Sequence, residues 1–191
     1  MEDAVGKTVL AGAAALLIGS IILSHPAQAQ WASKVIGPDV FGNTTVIATV
    51  GSETGDALVI QCNQKDTLDL AFLSPATPSD IDELSKTDAT IPAQLLIKVD
   101  QGHVVTFNAQ LQQWNNNYVG VVASGRTTDI VAIVNAIGKA TSQISVGTEI
   151  MGNQTSDTFG TDGSTDAMDT ATTSCKLGAI TASPSTDNSS P

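Results

Sequence analysis

Few side chains in this sequence are of a type and spacing that could do chemistry. The 191 residues include 2 His and 2 Cys. His25 lies in an apolar N-terminal segment, so His103 is the imidazole left to the body of the chain. A Ser-His-Asp triad would have to use it, and no G-x-S-x-G elbow is present to hold the serine. Nor is there an S-x-x-K. Zinc needs three or four His, Cys or carboxylate ligands, which this inventory does not readily supply. Gly6-Lys7-Thr8 imitates the end of a phosphate-binding loop without its first glycine. Asp157, Asp162, Asp166 and Asp169 crowd together but lack the D-x-[DN]-x-[DN]-G spacing of a calcium loop. No catalytic, cofactor or metal residue is therefore assigned, and the chain is expected not to be an enzyme. Paired carboxylates for glycoside hydrolysis are assembled in space, so a hydrolase of that kind stays as an alternative.

Contact chemistry is better represented. Gln110–Tyr118 reads QLQQWNNNY, and Trp114, Tyr118 and Gln112 are its candidate partner-binding residues, since Trp and Tyr anchor interfaces. The other reading of Trp114 is a cap on the edge of the fold. Trp31 is placed to pack against the sheet and tie down the start of the mature chain. The formal charge of −11 argues against nucleic acid and against an anionic membrane surface as partners.

The elements that would position these residues begin after an address. Lys7 precedes an apolar run from Val9 to Leu23, then Pro26 and the A-x-A of Ala27 and Ala29. The run is short for a membrane span and fits a secretory signal over residues 1–29, with an uncleaved anchor as the other reading. The protein is then periplasmic or secreted. In such an oxidising compartment Cys62 and Cys175 are expected to pair, free buried thiols being the alternative.

Residues 30–177 read as one β-rich domain. Strands are expected at 44–50, 57–62, 68–73, 95–99, 104–107, 119–123 and 144–151, from β-branched runs, alternation and turn signals. A short one is expected at 157–159. Ser79 with Asp82 at capping-box spacing predicts a helical turn after Pro78. Thr127 or Thr128 should cap a helix whose Ile130, Ile133, Val134 and Ile137 form an apolar stripe. Ser164 should cap a last helix to Ser174, burying Ala167, Met168 and Ala171. Residues 178–191 read as a disordered tail. The fold class is α+β, a mostly antiparallel β-sandwich with two helices in its second half and one disulfide.

A sparse pattern runs through this order of parts. Trp31 comes early, Leu58–Cys62 reads LVIQC, Trp114 stands mid-chain, and Phe159, Gly163, Ala167 and Cys175 make an F-x3-G-x3-A-x7-C ending. It resembles the VasI/TagO-like small exported proteins associated with type VI secretion, and more loosely the invasion-associated locus B type. The chain differs in placing Gln61 where a basic residue is common. The chain reads as a non-enzymatic exported binding or accessory protein that recognises a protein or envelope component through sheet edges and Gln112–Tyr118, and the resemblance implies an accessory part in secretion or in the cell envelope. The alternatives are the carboxylate hydrolase and a small-ligand carrier with a pocket between sheets.

Overall fold

The computed structural model describes residues 30–63, 67–86, 90–125 and 128–177. The expected signal, the polar tail, Thr127 and the centre of the turn after Asn63 lie outside the described residues. The strands are β1 (Ala32–Ile36), β2 (Thr45–Gly51), β3 (Ala57–Asn63), β4 (Leu68–Pro75), β5 (Ile91–Val99), β6 (Val105–Asn115), β7 (Tyr118–Ser124), β8 (Ile144–Ile150) and β9 (Asn153–Phe159). The helices are α1 (Pro78–Ser85), α2 (Thr128–Gly138) and α3 (Ser164–Ser174).

The antiparallel, β-rich α+β class is as expected, but the strands form one sheet instead of a sandwich. Its order is β1-β2-β3-β4-β7-β6-β5-β8-β9. The reason lies at β4, which pairs with β7 from Asp69 to Pro75 and so joins the first meander to the later hairpins without a break. Helices supply the second layer. Along the strands, alternate residues such as Val46, Ala48, Leu58, Ile60, Leu70, Phe72, Leu95, Ile97 and Val146 are buried on one face. Ile130, Ile133, Val134 and Ile137 of α2 and Ala167, Met168 and Ala171 of α3 belong to the same core. A period of two thus meets a period of 3.6, each burying its own apolar set.

The sheet also coils until its two ends approach. The Trp31 backbone N–H donates to the Asp162 carbonyl at 2.8 Å, and its indole N–H to the Gly160 carbonyl at 3.0 Å. Thr54, in the β2–β3 turn, donates to Asp157 of β9 at 2.9 Å. Phe72 of β4 meets Phe159 of β9 edge-to-face, ring centroids 6.2 Å apart. Trp31 does tie down the start of β1, as its position suggests.

Several local expectations are corrected. The capping box of α1 is Thr77 with Asp80, two residues before the expected pair. A residue before proline is pushed to extended backbone, which is the conformation an N-cap needs, and Thr77 has φ −78° and ψ 159°. Gly163, not Ser164, caps α3, and the buried Ser164 hydroxyl finds no hydrogen-bond partner among the described residues. The amide-rich stretch 110–115 is strand: Gln110 and Gln112 fall on the face opposite Ala109 and Leu111, and the ladder to β7 runs unbroken through Gln113. β1 is a strand that composition did not signal, and β9 runs the full length Asn153–Phe159. Pro92 is accommodated within β5 because β8 ends at Ile150, opposite Ala93. Cys62 and Cys175 are disulfide-bonded with Cα atoms 6.1 Å apart, clipping the end of α3 to β3.

Candidate functional site

The residues singled out for recognition sit on the sheet face away from α2 and α3. Gln112 is exposed and pairs with Gly120, while a register shift between Gln113 and Asn115 lifts Trp114 out of the ladder. Trp114 and Tyr118 are half-buried against Val59, Ala71, Leu73 and Val122. The rings therefore have a packing task as well as an exposed rim. The same apolar cluster reaches Ile47 of β2, which pairs with Lys34 of β1. The sequence brings Gln112, Trp114 and Tyr118 together at one hairpin, and the sheet extends that hairpin's surface toward β1.

A second apolar surface lies at β1 itself, and sequence reasoning missed it. Among the described residues β1 is the edge of the sheet, paired with β2 alone, and all five of its residues are exposed. Val35 and Ile36 are 48% and 45% exposed. The β1–β2 loop then presents Val40 at 93% and Phe41 at 82%. This loop is built rather than loose. The Asp39 carboxylate accepts from the backbone N–H groups of Phe41 and Asn43, both at 2.8 Å, and from the Asn43 amide at 2.9 Å. The Asp39 N–H in turn donates to the Asn43 carbonyl. Gly37 has φ +113°, and a Cβ there would lie 2.6 Å from the Asn43 carbonyl oxygen, so only glycine fits. The readable signal was Val40-Phe41 set among Gly37, Pro38, Asp39, Gly42 and Asn43: turn formers enclosing two large apolar residues, where a loop tip is ordinarily polar.

Between α2 and the start of β6 lies a groove of about 470 Å³. Ala132, Ile133 and Ala136 line its helix side, and Val104 and Val105 its strand side. His103, in the exposed β5–β6 turn, and Asp129 also border it. Next to it Asp100, which has φ +51°, ties the β5–β6 turn to the segment between α2 and β8. The Asp100 carboxylate accepts from the backbone N–H groups of Thr141, Ser142 and Gln143 and from the Ser142 hydroxyl at 2.7 Å. The Ser142 hydroxyl, followed by the Thr141 and Ser142 amides, holds the Asp100 carboxyl well below the usual carboxylate range. A depressed folded-state value contributes stability present above the unfolded value and lost as pH falls through the folded one. Below about pH 4, wild-type stability should therefore fall more steeply than that of Asp100→Asn. The check is urea unfolding from pH 6 downward, and parallel curves for the two proteins would contradict it.

Of the other carboxylates, Asp157 accepts from Thr54, and Asp166 lies in the first turn of α3, where the helix dipole favours it. Among the described residues no group of three or more His, Cys, Asp or Glu is arranged to hold a metal ion. No family model matches the chain, and no curated protein does. Among solved structures it is similar to the bovine atadenovirus type 4 fibre head protein, at 9% identity and a TM-score of 0.22, over 50% of this chain and 84% of that one. A likeness of that size bears on neither fold nor role.

Proposed function

We propose that this chain is an exported, non-enzymatic binding protein of the bacterial cell envelope that docks a protein partner on β1 and the Gly37–Asn43 loop. The carrying observation is that Val40 and Phe41 are held out in solvent by a loop hydrogen-bonded to fix them there. Exposed apolar side chains on a pre-ordered loop lose little entropy on binding, and beside them β1 ends the sheet order with all five of its residues exposed. The Trp114, Tyr118 and Gln112 surface lies on the outer face several strands from β1 and at the opposite ends of the strands, so it is a separate contact surface. The disulfide supports residence in an oxidising compartment. Among the described residues no helix is long and apolar enough to cross a membrane. The secretion-associated, VasI/TagO-like role rests on the sequence pattern alone.

The test is a photo-crosslinking residue at Val40 in the producing cell, with Lys86, exposed after α1, as the control position. A discrete protein adduct from position 40 and none from 86 is expected. Affinity of the purified partner should then fall by about 30-fold in Phe41→Ser, the cost of a hot-spot truncation. No adduct from position 40, or undiminished affinity in Phe41→Ser, would overturn the reading.

A further inference from the structure

The groove between α2 and the β5–β6 hairpin has no part in that docking surface, and its construction calls for an occupant of its own. α2 seats Ile130, Ile133, Val134 and Ile137 in the core, which turns Asp129, Ala132 and Ala136 along its outer flank. Two alanines there face the start of β6, where Val104 is 53% exposed. Small side chains on one wall and a half-exposed branched one on the other leave space that neither fills. At about 470 Å³ the space is in the range of small-molecule sites.

Asp100 orders the two segments that adjoin the groove. Its carboxylate joins the end of β5, just before the turn that carries His103 and Val104, to Thr141–Gln143, just after α2. The turn carrying His103 and Val104 is thus ordered on its β5 side, and ordering of that kind lowers the cost of binding.

The charge of the lining selects among ligands. Asp129 is its one charged carboxylate, and among the described residues no lysine or arginine lines it. His103 and the Thr106 hydroxyl add hydrogen-bonding groups. The whole chain carries a formal charge of −11, so an anionic ligand meets repulsion both near and far. We infer that this groove binds a small amphiphile with an apolar, ring-sized body and a single cationic group, the body lying between Val104 and Ala132–Ala136 and the cation facing Asp129.

The experiment titrates the full exported protein with tryptamine and, separately, with indole-3-acetate, following backbone amide shifts by NMR. Tryptamine is expected to shift the Val104, Ala132 and Ala136 amides saturably, with at least about tenfold preference over the carboxylate. Ala136→Leu, which fills the groove from an only partly buried position, should abolish those shifts, and Asp129→Asn should level the preference. Ala132→Leu serves if Ala136→Leu does not fold. Phe41→Ser should leave tryptamine binding intact, which separates this site from the docking surface. Absence of saturation up to about 10 mM, equal binding of the two probes, or unchanged binding in the filled-groove variant would each overturn the inference.

Discussion

Removing the Cys62–Cys175 bridge, by Cys62→Ala with Cys175→Ala, is expected to lower the unfolding free energy by about 4–5 kcal/mol. The bridge closes a separation of 113 residues, and a loop of that length keeps the unfolded chain far more compact than an open one. The loss should fall first on α3. That helix has 11 residues, STDAMDTATTS, with threonine, serine and aspartate where good helix formers would stand. Its cap, Gly163, provides no side-chain hydrogen bond, and the Ser164 hydroxyl is buried without a partner among the described residues. Of its inward residues Ala167 and Ala171 are small, leaving Met168 as the main apolar anchor. Each effect alone is modest, and together they make α3 depend on its covalent attachment. Guanidinium unfolding of the oxidised protein and the double variant gives the total, and amide exchange locates it. A loss below about 1 kcal/mol, or α3 amides that in the double variant still exchange only through global unfolding, would contradict this account.

How far the fold was legible follows from what each segment must bury. Thr45–Gly51, Ala57–Asn63 and Leu68–Pro75 could be read as a meander because turn residues separate apolar runs that are buried on one face or both. The stripe on α2 was equally plain, since four β-branched residues at helical spacing have one way to face a core. β1 was not legible, because all five of its residues are exposed and its partner lies across a loop. β6 was hidden by its amides, which mark the outer face of a long strand and not a break in it. Whether the strands form one sheet or two depends on the β4–β7 pairing, a contact between segments about fifty residues apart that local pattern does not encode. The candidate site shows the same division. Trp114 and Tyr118 are conspicuous by type, whereas Val40 and Phe41 matter through exposure, which only their enclosure by turn formers signals in the sequence.

Trp31→Ala is expected to cost about 3–5 kcal/mol, the range for emptying an aromatic core site. Trp31 is 4% exposed, and it works at the place where the coiled sheet meets itself. Its backbone N–H and its indole N–H hold the Asp162 and Gly160 carbonyls, on the segment between β9 and α3. That segment packs so closely that a Cβ on Gly163, which has φ +76°, would lie 2.9 Å from the Trp31 carbonyl oxygen. Alanine would keep the backbone bond, lose the indole bond and leave a cavity beside Phe159 and the start of α3. Trp31→Phe fills most of that cavity but not the hydrogen bond, so it should cost less than alanine by several kcal/mol and retain a loss of about 1 kcal/mol for the unpaired Gly160 carbonyl. The consequence for binding follows from position. β1 begins at the next residue, Ala32, and leads into the Gly37–Asn43 loop, so release of Trp31 should loosen the edge that carries Phe41. The groove beside α2 adjoins segments ordered by Asp100 and does not depend on Trp31. Partner affinity should therefore fall in Trp31→Ala under conditions where the protein is still folded, while tryptamine shifts at Val104 persist. If both readouts fell together, Trp31 would be serving the core as a whole and not the sheet edge in particular.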